Sequence, residues 1–96
     1  MKKTFELTHP KIKVARMVEA VKHEVKKYLK RERNKTLPEG SDYWGFDCKF
    51  GKTEQTADVI HVSEINKQID LIEEAGLTSF YLEILAKAEA RVFEER

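Results

Sequence analysis

Ninety-six residues, 36% charged and 41% apolar with only four glycines and two prolines, exclude a disordered chain, a membrane-spanning protein and a disulfide-stapled scaffold. One domain over residues 1–96, with one modest core, is expected. The net charge of +1 hides a strong asymmetry: residues 1–52 carry 14 Lys or Arg against 7 acids, and residues 53–96 carry 4 against 10.

The single cysteine, Cys48, cannot close an intramolecular disulfide, which points to a reducing cytoplasm. The basic start at Lys2 and Lys3 resembles a secretory signal only until Glu6, His9 and Pro10 interrupt it. In chain order, residues 3–7 alternate, with Phe5 and Leu7 on one side and Thr4 and Glu6 on the other, and predict a short strand. Thr8 or His9 then caps a helix with Pro10 in its first turn.

Residues 10–35 organise the chain. At helical spacing Val18, Val21, Val25, Tyr28 and Leu29 fall within about 60° of Val14 and define a buried stripe. Glu32 returns to the same azimuth, so burial is expected to stop near Leu29. Between Lys11 and Lys35 there are 10 Lys or Arg against three glutamates. Lys22, Lys26, Lys30 and Arg33 occupy one flank, Lys27 and Arg31 the other, and Lys35 follows. A helix over 11–33 spans about 35 Å, whereas a strand of eight residues reaches about 26 Å. The last basic turns are therefore expected to overhang the sheet.

Pro38 and Gly40 end the helical region. Residues 43–50 alternate cleanly, with Trp44, Phe46, Cys48 and Phe50 on one face, and residues 56–62 return as the second arm of a hairpin. Ser63 caps a second helix bearing Ile65, Ile69, Leu71 and Ile72, which ends at Gly76 in the left-handed conformation with Leu77 folding back. Residues 80–87 form a last strand. The tail from Glu89 has no assigned element, and Val92 and Phe93 offer it an apolar pair for docking.

The order β-α-β-β-α-β predicts an α+β, ferredoxin-like two-layer sandwich: two helices on one face of a four-stranded antiparallel sheet in the order 4-1-3-2. Phe5, Val18, Val25, Trp44, Phe46, Cys48, Phe50, Ile69 and Leu82 are the expected core. Three stretches, Phe5-Glu6-Leu7-Thr8-His9-Pro10-Lys11-Ile12-Lys13, Tyr43-Trp44-Gly45-Phe46-Asp47-Cys48 and Ile60-His61-Val62-Ser63-Glu64-Ile65-Asn66-Lys67, resemble a small bacterial family of uncharacterised proteins. That resemblance implies a bacterial cytoplasmic origin and, the family having no assigned activity, nothing about mechanism.

Catalytic chemistry finds little support. Gly51-Lys52-Thr53 imitates the end of a P-loop, but Phe46 stands where the first glycine belongs and a strand follows instead of a helix. The hairpin register decides whether His61 lies diagonal to Cys48 on the core face or opposite Asp47 on the open face. Neither arrangement supplies a third residue to orient the imidazole. His9, His23 and His61 are too scattered for a metal site, and no cofactor motif is present. Tyr43 and Tyr81, expected at opposite edges of the open face, make no base-stacking platform.

The functional expectation is thus a binding or interaction module, with an enzyme ranked third because no nucleophile, base and oxyanion donor converge. Its leading candidate partner is nucleic acid or a ribonucleoprotein, contacted by Lys22, Lys26, Lys27, Lys30, Arg31, Arg33 and Lys35. Acids on the second helix, among them Asp70, are expected to neutralise part of that charge. The alternative is a homodimer or protein-binding module using the open sheet face, with Tyr81 and Leu85, or an edge strand.

Overall fold

A computed structural model describes residues 1–91. The elements are β1 (Lys2–Glu6), α1 (Val14–Arg33), β2 (Tyr43–Gly51), β3 (Asp58–Ile60), a 3-10 turn (Val62–Glu64), α2 (Ile65–Glu74) and β4 (Ser79–Glu89). The tail residues Val92 and Phe93 lie outside the described region.

The four strands form one antiparallel sheet, but in the order β1-β4-β2-β3. This corrects the expected ferredoxin-like order 4-1-3-2. Both outer pairs, β1 with β4 and β2 with β3, occur as anticipated; the junction between them is β4 against β2 instead of β1 against β3. Strand length explains the difference. β2 and β4, of nine and eleven residues, run alongside each other from Tyr43↔Glu89 to Gly51↔Tyr81, a ladder far longer than the five-residue β1 can offer any partner. The short edge strands β1 and β3 cover only part of this central ladder.

One face of the sheet carries the core. Phe5, Cys48, Phe50, Phe80, Leu82 and Ile84 join Val18, Val21 and Val25 of α1 and Ile65, Ile69 and Ile72 of α2 in a single buried cluster. At its centre the Phe80 ring stacks between Phe5, at 5.4 Å, and Phe50, at 5.0 Å. These rings come from three adjacent strands, in register through Phe5↔Phe80 and Phe50↔Leu82. Tyr28 and Leu29 pack against the cluster without full burial.

Helix α1 begins at Val14, four residues later than Pro10. Its N-cap is Lys13, in an extended conformation, and no side chain caps it. His9 is occupied locally instead: its Nδ1 accepts a hydrogen bond from the Lys11 amide at 3.0 Å. With the β-branched Val14 half-exposed, the first turn contributes little to the core. Helix α2 ends as its sequence requires. Gly76 adopts φ 70°, its amide bonds to Glu73 O, and the Leu77 amide reaches back to Ile72 O, the two hydrogen bonds of a Schellman motif.

The expected overhang of α1 is absent. Twenty residues span about 30 Å, and an eleven-residue β4 spans about 36 Å, so the sheet is the longer layer. The end of α1 lies over β2: Trp44 Nε1 donates to Lys35 O at 3.0 Å, and the Arg33 guanidinium stands 5.2 Å from the Phe46 ring. Trp44 and Phe46 are consequently half-buried beneath polar residues, not part of the fully buried core expected for them.

Candidate nucleic-acid interface

Seven cations were expected to act together, and the fold divides them into three groups. Lys22 Nζ pairs with Asp70 Oδ1 of α2, and Lys35 Nζ pairs with Glu32 Oε2 one turn back. Those two charges are spent within the molecule, so Lys22 and Lys35 leave the candidate site. The Lys22 pair shows the second helix complementing the first, as its acids suggested.

Glu32 shows how the helix tolerates a carboxylate at a core azimuth. Its side chain is only 12% exposed, yet the Lys35 ammonium holds the carboxyl below its ordinary range. The adjacent Tyr28 is pushed the other way, first by desolvation and then by the Glu32 charge. Its hydroxyl lies 3.4 Å from Ile84 O, which ties the middle of α1 to the central strand β4.

Lys26 and Arg33 form the second group. They line a groove of about 320 Å³ between α1 and the start of α2. Lys27, Lys30 and Arg31 form the third, on the outer flank of α1 beside Asn34. Arg31 lies over the Tyr28 ring at 5.6 Å, which orients its guanidinium without neutralising it. Among the described residues, no ion pair involves Lys26, Lys27, Lys30, Arg31 or Arg33.

On the open face, Tyr43 and Tyr81 belong to the two central strands, not to the edges where they were expected. They still make no stacking platform, for a different reason. Tyr43 pairs with Glu89 and Tyr81 with Gly51, at opposite ends of the ladder, about 26 Å apart. Tyr81 is also 3% exposed, its hydroxyl bonded to Glu83 at 2.9 Å. Desolvation, then the Glu83 contact, pushes this phenol up to about 12. Between the two tyrosines, Lys87 bridges Asp47 at 3.0 Å and Glu89 at 3.2 Å. The Glu89 carboxylate crosses Gly45, where a β-carbon would collide with Oε2. A side chain there would displace the bridge.

The remaining candidates resolve into structural roles. The register Cys48↔Ile60 puts His61 in line with Asp47, yet the strand has already ended. His61 caps the 3-10 turn, accepting from the Ser63 amide at 3.1 Å. Cys48 is 1% exposed, and burial pushes its thiol up to about 11. Gly51-Lys52-Thr53 leads into a turn closed by Thr53 and Thr56 hydroxyls, with no helix behind it. Among the described residues no group of three or more His, Cys, Asp or Glu is placed to hold a metal, and no helix is long and apolar enough to cross a membrane.

The split between groove and outer flank was not visible in the helix wheel, because it depends on where α2 lies. The acids of the second helix, among them Asp70, were the sequence signal for it. The model of one protein family, described as a family of unknown function (DUF6172), matches residues 1–95. No curated protein and no solved structure matches the chain.

Proposed function

The chain belongs to a family of unknown function, which supplies no activity to inherit, and from its own side chains we propose an electrostatic nucleic-acid-binding module. The contact surface is the outer flank of α1, where Lys27, Lys30 and Arg31 project together with no acidic partner among the described residues. That observation carries the reading. Three cations within little more than one turn of a helix suit a phosphate backbone, and the described residues offer no aromatic platform to read bases. The groove cations Lys26 and Arg33 are reached only from the other flank. The proposed setting is the cytoplasm of a bacterium, consistent with the reduced, buried Cys48 thiol.

Changing Lys27, Lys30 and Arg31 to glutamine tests the reading. All three side chains are exposed, so the fold should persist while affinity for a short duplex at low salt falls by an order of magnitude or more. Undiminished affinity in the folded variant refutes it.

A second reading rests on the sheet. β3 pairs with β2 only at residues 48–50, and β1 reaches β4 only as far as Glu83, with Met1 O accepting from the Ile84 amide. Residues 43–47 and 85–89 therefore form a two-stranded ribbon without a strand on either outer edge among the described residues, and Tyr43 and Leu85 are exposed on it. A second copy or a protein partner adding a strand there would use this edge. Light scattering that shows only monomer at high concentration removes the self-association form of this reading.

A further inference from the structure

The groove that holds Lys26 and Arg33 has the chemistry of a small-molecule site. The Lys22 to Asp70 pair clamps the two helices together at one end. Toward the end of α1 they part, leaving a cavity of about 320 Å³ whose floor is Val25, Leu29, Val62 and Ile65. That volume lies at the low end of the range for ligand pockets. Cations stand on the α1 wall, and among the described residues no aspartate or glutamate lines the cavity. The opposite wall offers the Ser63 hydroxyl and the Asn66 amide. Ser63 is held in place, its Oγ 2.7 Å from His61 Nδ1.

We infer that this interhelical groove binds a small phosphate monoester with an apolar body, the phosphate between Lys26 and Arg33 and the body on the aliphatic floor. A monoester carries a charge of about −1.5 to −2 at neutral pH. Two unpaired cations match that charge, and an arginine fork receives phosphate oxygens bidentately. Among the described residues the floor has no aromatic ring, so the body is gripped by burial of apolar surface and not by stacking. The volume admits a body of one or two rings and excludes a polymer segment. This site is separate from the outer flank proposed for nucleic acid.

The test is a titration of the isotopically labelled chain, followed by amide chemical shifts, with phenyl phosphate, inorganic phosphate, phenol and a short oligonucleotide as probes. Phenyl phosphate should saturate, moving Val62, Ser63 and Asn66, and should bind more tightly than inorganic phosphate or phenol. Lys26→Ala, a change at an exposed side chain, should weaken it about tenfold or more, and Lys30→Ala should leave it unchanged. Failure to saturate at millimolar phenyl phosphate overturns the inference, as does saturation that Lys26→Ala does not weaken. If the oligonucleotide moves Lys30 and Asn34 while phenyl phosphate moves nothing, the groove proposal falls and the outer-flank reading stands. The reverse pattern refutes the outer flank and keeps the groove.

Discussion

Phe80→Ala should be among the most damaging single substitutions in this chain, because β4 is central. The ring is fully buried and stacks on Phe5 and Phe50 from strands on both sides. Truncating a buried phenylalanine costs about 3 to 5 kcal/mol, and each stacked pair adds about 0.5 to 1.5 kcal/mol beyond area burial, so the upper end applies. At about 0.05 to 0.15 kcal/mol per residue, 96 residues correspond to a stability of roughly 5 to 14 kcal/mol. The variant therefore loses a third or more of it. Urea unfolding followed by Trp44 fluorescence reads the loss directly, since the half-buried indole is bonded to Lys35 O and is freed on unfolding. With a urea slope of about 1 to 3 kcal/mol per molar, the midpoint should fall by roughly 2 M. Phe46→Ala is the comparison: its ring is only half-buried beneath Arg33, so about 1 to 2 kcal/mol is expected. A midpoint shift below about 0.5 M for Phe80→Ala, or a larger one for Phe46→Ala, would show that Phe80 does not sit between two strands.

Other consequences are quicker to check. Cys48 should react with a thiol reagent far more slowly in the native protein than in denaturant, because it is buried and its thiol is pushed up to about 11. The same shift predicts a stability present below the ordinary thiol pKa, near 9, and lost as pH rises from there toward 11, since only the unfolded thiol ionises in that window. Tyr81, pushed from 10 to about 12, extends the loss to higher pH, and thermal melts at stepped alkaline pH should record both. Gly76→Ala places a β-carbon at φ 70° and should cost about 1 to 2 kcal/mol by the same urea assay. Asp70→Asn should change stability by less than about 1 kcal/mol, the pair being partly exposed.

The sequence announced the elements more clearly than their arrangement. Alternation at residues 43–50 and the Gly76-Leu77 ending identified β2 and the end of α2, because period and turn chemistry are local properties. The junction of the two strand pairs was not legible. It turned on the pairing of β4 with β2 over residues 81–89, two residues beyond the expected strand over 80–87, and alternation within one strand does not say which other strand lies beside it. The late start of α1 was hidden for a similar reason: His9 and Pro10 read as a cap and first turn, while the imidazole bonds the Lys11 amide in a separate turn. At the candidate site the excess of positive charge was plain. Which cations remain unpaired was not, since the acid facing Lys22 comes from 48 residues away.

The salt dependence of binding to a short duplex tests the central claim most directly. If Lys27, Lys30 and Arg31 each neutralise one phosphate, log K should fall linearly with log salt, and the glutamine triple variant should have a slope shallower by about 2 to 3 units. Lys26→Ala, in the groove, should leave the slope unchanged. Equal slopes for the wild type and the folded triple variant, or no binding by the wild type at low salt, would contradict the assignment of the outer flank of α1 to nucleic acid.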